Sequence, residues 1–277
     1  CYYYCFIGNY MVYACRYFYK EKFMSRFICN TLLLTNDDGF DAPGLKILEK
    51  VCQRLAKEVW VVAPACDRSG TSQSLSLHTP LRFRQKGVHR YVVEGTPADC
   101  VAMAVRHLMI DSPPDFILSG INRGANIGNE TIFSGTVGAA MTGVLLGFRA
   151  IALSQYFNNR HNIHWDTAEH ASEIVLKYLI QGRWDYGTCF NVNLPDVEPD
   201  SIKDIAITRQ GEGNLNNIGV IVREDLRAIP YAWLNLERSE NAEPSDSEGS
   251  AVRAGHISVT PLHFDRTHYR DRLIHSH

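Results

Sequence analysis

Leu32-Leu33-Leu34-Thr35-Asn36-Asp37-Asp38-Gly39 is the stretch that decides how this chain folds. A short apolar run ends in two adjacent carboxylates and a glycine. Such a run, bounded by turn residues, predicts a buried strand. The end of a strand is also where open α/β sheets place ligands. Neighbouring carboxylates repel each other, so a fold that holds Asp37 beside Asp38 has to supply a cation or a proton. Taken alone, the pair is also compatible with a plain Asp-Gly turn.

Outward from that strand, Pro43 to about Ala56 predicts a helix with Leu45, Leu48, Val51, Cys52 and Leu55 on one face. Glu58 to Ala63 reads as a second strand, stopped by Pro64 and followed by the polar loop Asp67 to Ser74. Leu81 to Val93 reads as a hairpin. Thr96-Pro97-Ala98-Asp99 opens a helix with an N-cap, a proline at the first turn and a capping-box acid, so Asp99 needs no catalytic role. Asp115 to Ser119 is another buried strand, followed by the glycine-rich run Gly120 to Gly128. Ser134-Gly135-Thr136 opens a helix to about Leu146, kept slim by Gly138, Ala139, Ala140 and Gly143. Arg149–Ser154 and Cys189–Leu194 read as strands around a helix from Thr167 to Ile180.

This alternation predicts an α/β fold with a Rossmann-like, mostly parallel, doubly wound sheet. From about Ser201 the character changes. Ile218–Arg223 and Ala228–Leu236 predict a projecting hairpin, Glu237–Ser250 an acidic, serine-rich loop, and His256–Leu262 a strand returning to the body. The expected organisation is one domain over 24–277, with its core at 31–200 and a hairpin and tail at 201–277. Residues 1–23 hold seven tyrosines and three cysteines without amphipathic period. They match neither a signal peptide nor a spanning helix, and the expectation is read-through or an unstructured extension ahead of Met24.

The 277 residues are 45% apolar and 21% charged, with a net charge of −2. That balance suits a globular protein and carries no basic footprint for a nucleic-acid polymer. The eight cysteines form no CxxC pair, and those past Met24 lie mostly in apolar stretches. They read as reduced core thiols of a cytoplasmic protein.

In a parallel sheet, all strand carboxyl ends share one edge. Asp37 and Asp38 follow the first strand, Ser69 the second, and Asn122 the strand at Asp115. Two carboxylates, a hydroxyl and an amide oxygen form a hard, all-oxygen set suited to Mg²⁺ or Mn²⁺, with Ca²⁺ next, rather than Zn²⁺. Ser134, Gly135 and Thr136 sit at a helix start, where free N–H groups attract phosphate. Gly124, Gly128 and Gly135 let the backbone approach a ligand, and Asn126 has an amide to donate. The glycine spacing is neither the dinucleotide fingerprint nor a P-loop, so neither NAD binding nor ATP hydrolysis is signalled.

These same residues resemble the signature stretches of the SurE family, the survival-protein nucleotidases. The matching segments are Thr35–Gly39 with Ala42-Pro43-Gly44, Val62–Pro64 through Arg68-Ser69-Gly70 to Ser74, Gly95–Cys100, and Ser119–Asn122 through Gly124, Asn126 and Gly128 to Val137. Ile257–Leu262 resembles the family's late strand, and the order is kept from Leu32 to Asp265. The resemblance implies a metal-dependent phosphatase of nucleoside 5′- and 3′-monophosphates, with activity on short polyphosphate in some members. It further implies Asp37, Asp38, Ser69 and Asn122 as ligands of one divalent ion, and Asn126, Ser134, Gly135 and Thr136 around the phosphate. A C-terminal extension exchanged within a homodimer or homotetramer belongs to the same implication. The tail at His263–His268 matches only loosely, and His268 falls one residue out of step.

The expected chemistry is metal-assisted hydrolysis of a phosphomonoester, with Asp37 or Asp38 as base or nucleophile. A covalent aspartyl-phosphate phosphatase is the rival within enzymes, and a non-catalytic nucleotide or phosphate sensor the rival outside them. Nothing in the four loops reads a particular nucleobase.

Overall fold

A computed structural model describes residues 6–7, 10–11, 27–239 and 243–267. Its body is a nine-stranded sheet. The elements in chain order are β1 (Cys29–Thr35), α1 (Pro43–Leu55), β2 (Ala56–Pro64), β3 (Phe83–Gly87), β4 (Arg90–Val93), α2 (Pro97–Met103), β5 (Phe116–Arg123), α3 (Gly135–Leu145), β6 (Arg149–Gln155), α4 (Trp165–Gln181), β7 (Cys189–Leu194), β8 (Ile205–Ile207), β9 (Leu215–Glu224), β10 (Pro230–Arg238), α5 (Glu248–Arg253) and β11 (Ile257–Leu262).

Across the sheet the order is β3-β4-β2-β1-β5-β6-β7-β11-β8. The six strands from β4 to β7 run parallel. β3 and β11 are each antiparallel to the inner neighbour they meet, and β8 is parallel to β11. The chain winds from β1 toward β2, then crosses back to place β5 on the other flank of β1. The winding therefore reverses between β1 and β5. A topological switch point opens a crevice at the strand carboxyl ends, and ligands bind there.

Helices cover both faces. Leu45, Leu48 and Val51 of α1 pack with Ala168, Ala171 and Val175 of α4 over Leu32 and Leu34. Cys100 and Val101 of α2 pack with Val137 and Ala140 of α3 over Leu33 and Ile117. Alternation along β1 sends Leu33 to one layer and its two neighbours to the other, as strand geometry requires. Each such fully buried leucine contributes about 2 kcal/mol of transfer free energy.

Two glycines fix the helices against the sheet. A Cβ on Gly44 would lie 1.9 Å from the Ile121 carbonyl oxygen, so only glycine lets the start of α1 approach β5. A Cβ on Gly143 would lie 2.8 Å from Ile117 Cδ1, which confirms α3 as a slim helix seated on the sheet. The Thr96–Asp99 capping box is present in both directions. Asp99 also accepts the Ser76 amide at 2.9 Å and its hydroxyl at 2.7 Å, a structural use of the whole carboxylate.

The hairpin forms as expected: among the described residues β9 and β10 pair only with each other, and every residue of β10 is exposed. The stretch 237–250 differs from a plain loop. β10 runs on through Arg238, and Ser247 caps α5 by accepting the Ser250 amide at 3.2 Å. Glu248 is fully buried, because the network around it supplies the donors that sequence composition does not reveal. The expectation for residues 1–23 lies outside the described residues apart from a pairing of Phe6–Ile7 with Tyr10–Met11. Among the described residues, no helix is long and apolar enough to cross a membrane.

Candidate functional site

The switch point gathers the predicted loops. Arg68, next to Ser69, donates its backbone N–H to the Asp37 carbonyl at 2.7 Å, drawing the loop after β2 onto the loop after β1. Arg123, next to Asn122, donates its backbone N–H to Asp38 Oδ2 at 3.0 Å, drawing in the end of β5. Ser69 is exposed, with its own N–H held by Asp67 Oδ1 at 2.8 Å. Asn122 is half-buried and its carboxamide N–H donates to the Gly124 carbonyl at 2.8 Å, leaving the amide oxygen as its coordinating atom.

Asp37 is buried at 4% exposure. Burial pushes its carboxyl up to about 6; hydrogen bonds from Thr136 oppose this and the Asp38 charge adds to it. Asp38 is raised too, chiefly by burial and also by the Asp67 charge, against the Arg123 N–H and guanidinium. Neither aspartate joins any ion pair among the described residues. Two adjacent carboxylates, one buried and one half-buried, with neither in an ion pair, make an electronegative spot that favours a cation. Among the described residues, no group of three or more His, Cys, Asp or Glu is arranged to hold a metal ion. The oxygen donors at this edge, two carboxylates, a hydroxyl and an amide oxygen, are of the kind that suits a hard cation.

The start of α3 faces the same pair. Thr136 donates its hydroxyl to Asp37 Oδ1 at 2.5 Å. A Cβ on Gly135 would lie 2.8 Å from Asp37 Cβ and 2.9 Å from Oδ2, so the helix start touches the carboxylate through a bare backbone. Ser134 caps the helix by accepting the Val137 amide at 3.0 Å. The Gly135 amide stands at the first position of α3, where the helix itself supplies no acceptor.

Asn126 sits deeper than the others. It is buried, and its carboxamide donates to Ser154 Oγ at 2.7 Å. Its backbone is bracketed by Asn193, which accepts its N–H at 2.8 Å and donates to its carbonyl at 3.0 Å. His268 lies outside the described residues. On the far side of Asp38 an open cleft of about 430 Å³ is walled by Gly44, Asp67, Arg123, Arg160, His161 and Trp165.

Several neighbours escaped the sequence reading. The Arg123 amide and the Asp67 charge act on Asp38 through loop conformation alone. The sequence puts Thr136 at a helix start suited to phosphate, and the structure adds its bond to Asp37, a contact across 99 positions of sequence.

Comparison with known proteins places this arrangement among relatives. The family model described as "Survival protein SurE" matches residues 32–217. The chain is 51% identical over 244 residues to "5'-nucleotidase SurE 1" of Burkholderia lata, covering 88% of this chain and 94% of that protein. It is 47% identical over 241 residues to "5'-nucleotidase SurE" of Parvibaculum lavamentivorans, covering 86% and 87%. The crystal structure of the SurE protein from Aquifex aeolicus superposes with a TM-score of 0.74 at 37% identity, over 86% of this chain and 95% of that one.

Proposed function

This chain belongs to the survival protein SurE family, and on that footing we propose that it is a divalent-metal-dependent phosphomonoesterase that hydrolyses nucleoside 5′-monophosphates to nucleoside and phosphate. The observation that carries the reading is the adjacent Asp37–Asp38 pair at the switch point, with Asp37 buried against the start of α3 and neither carboxylate in an ion pair among the described residues. Asp37, Asp38, Ser69 and Asn122 hold the metal. When bound, a divalent cation neutralises phosphate charge and makes a coordinated water more acidic.

The remaining work falls to the chain itself. The Gly135 amide and the dipole of α3 bind a phosphate oxygen, with Ser134 and Thr136 shaping that corner. Asn126 fixes the loop between the two halves of the site. Thr136 keeps Asp37 oriented toward its neighbour. The cleft beyond Asp38 receives the rest of the substrate, with the Trp165 ring and two guanidiniums on its walls. Phosphoryl transfer needs mostly positioning and charge stabilisation, which these groups supply.

The direct test is phosphate release from AMP, GMP and a generic phosphomonoester after EDTA treatment, with Mg²⁺, Mn²⁺ or nothing added back. Release only with metal and preferring the nucleotide is expected. Metal-independent release moves the activity elsewhere, and nucleotide binding without release under any condition makes the chain a sensor.

Proton and metal compete for Asp37. In the metal-free protein its carboxyl keeps a proton to about pH 6, while an unfolded chain releases it near 3.8. A raised carboxylate pKa costs stability as pH rises through that window, and the full cost remains above it. The melting temperature of EDTA-treated protein is expected to fall over roughly pH 4 to 6 from this group. Mg²⁺ is expected to raise it more at about pH 7.5 than at about pH 5. Equal Mg²⁺ effects at both pH values contradict the assignment.

Subunit association completes the proposal. Val222, Trp233 and Leu234 of the hairpin are 65%, 63% and 75% exposed. A two-stranded ribbon with such an apolar surface is marginal alone and marks an interaction site. Light scattering at micromolar concentration is expected to give a homodimer or homotetramer, and a monomer would refute this. A cytoplasmic location is part of the same reading, supported by the free thiols of Cys29, Cys52, Cys66, Cys100 and Cys189. So is the single domain over 24–277.

A further inference from the structure

Glu248 is a fully buried carboxylate in the first turn of α5. No lysine, arginine or histidine pairs with it among the described residues. Its oxygens take neutral donors instead. Oε1 accepts the Gly128 N–H at 2.6 Å. Oε2 accepts the Thr260 hydroxyl at 2.9 Å and the Asn191 amide at 3.2 Å. The same Asn191 amide donates to the Asn126 carbonyl at 2.8 Å. Burial pushes the Glu248 carboxyl up, against these donors, and Glu243 adds to the rise. A buried charge without a counter-ion is costly and persists only where fixed donors surround it.

Two of those donors act on the segment between Asn122 and Ser134: Gly128 belongs to it, and Asn191 of β7 also holds its Asn126 carbonyl, while Thr260 is on β11. Gly128 is fixed from its other side as well. Its φ is +58°, and a Cβ there would lie 2.3 Å from the Glu212 backbone. Gln210 Nε2 donates to the Gly128 carbonyl at 2.8 Å. The loop thus has its backbone set by residues that arrive from the C-terminal segment.

We infer that Glu248 is a positioning residue for phosphate recognition: its carboxylate fixes the Asn126–Gly128 backbone and thereby the placement of the α3 start relative to Asn122. The inference rests on the nucleotidase reading. Glutamine at this position keeps the shape but replaces one acceptor by a donor. Whichever way its amide turns, an N–H faces either Gly128 or Asn191, and the loop has to shift. Displacement of groups away from the chemistry by even about 1 Å costs up to ~10² in rate.

The test compares the full-length parent with Glu248→Gln and Glu248→Asp, reading AMP turnover with Mg²⁺ and competitive inhibition by inorganic phosphate. For Glu248→Gln, kcat/KM is expected to fall at least ~tenfold, with inhibition by phosphate weakened at least ~fivefold. Glu248→Asp, which keeps the charge, restores most of both. A variant that merely folds less well loses kcat through its active fraction and leaves phosphate inhibition unchanged, and that result overturns the inference. If Glu248→Gln does not fold, hydrogen exchange of the parent decides. Slow exchange over 126–130 is expected, and exchange as fast as in an open loop overturns the clamp. A parent with no metal-dependent nucleotide hydrolysis refutes the proposed function, while phosphate titration and hydrogen exchange still decide the role of Glu248.

Discussion

Asp38→Ala is expected to lower turnover of a nucleoside monophosphate by at least ~10², with loss of measurable Mg²⁺ or Mn²⁺ affinity, because a main electrostatic element of the site is removed. The substitution deletes one of two adjacent carboxylates. It also leaves the Arg123 amide without the acceptor it meets at 3.0 Å. Those two effects separate in Asp38→Asn, whose carboxamide oxygen still accepts that N–H but carries no charge. If charge is what matters, the asparagine variant is as inactive as the alanine variant and keeps the fold of the β5 end. Turnover and metal titration of both variants are the measurements. Near-normal turnover in either would refute the assignment. The stability effect should run the other way: relieving a carboxylate raised by burial and by Asp67 favours the metal-free fold. A variant that is inactive and more stable without metal is the signature of a functional pair kept at a structural cost.

Gly135→Ala is expected to reduce turnover by about 10- to 100-fold through misplacement, although a methyl group is the whole change. The new Cβ would lie 2.8 Å from Asp37 Cβ and 2.9 Å from its Oδ2, inside any real contact distance. Asp37 cannot swing away cheaply, since its side chain is bonded to Thr136 and its carbonyl to Arg68. Either Asp37 rotates off its metal position or α3 lifts from the sheet. Overpacking of this kind costs about 1–3 kcal/mol of stability. Helix propensity alone predicts the opposite sign, since alanine is favoured over glycine in a helix. Thermal denaturation and kcat together decide. A stabilised and fully active Gly135→Ala would show that the helix start does not abut Asp37.

Much of this was legible in sequence because the relevant physics is local. Leu32–Thr35 had to be a buried strand, and Thr96–Asp99 a capped helix start, from spacing and residue type alone. Pro43 and the apolar period after it set α1 from Pro43 to Leu55. Parallel order puts the loops of Asp37, Asp38, Ser69 and Asn122 on one edge when their strands are neighbours. The family resemblance at the same residues pointed the same way. The acidic and serine residues of 237–250 predict solvent exposure, and the structure differs, with α5 formed and Glu248 buried. Glu248 instead meets donors from β7, β11 and the loop after β5, and no window of sequence contains them all.

The sequence by itself determined the strands and helices of the core up to Leu194, their alternation and the oxygen-rich chemistry of the loops, since hydrophobic period, caps and residue type act within a few positions. Only the tertiary structure decided that the winding reverses between β1 and β5, that Thr136 and Gly135 press on Asp37, and that Glu248 holds Gly128. Each of those depends on packing between segments far apart in the chain, where burial turns an ordinary aspartate or glutamate into a charge that needs partners.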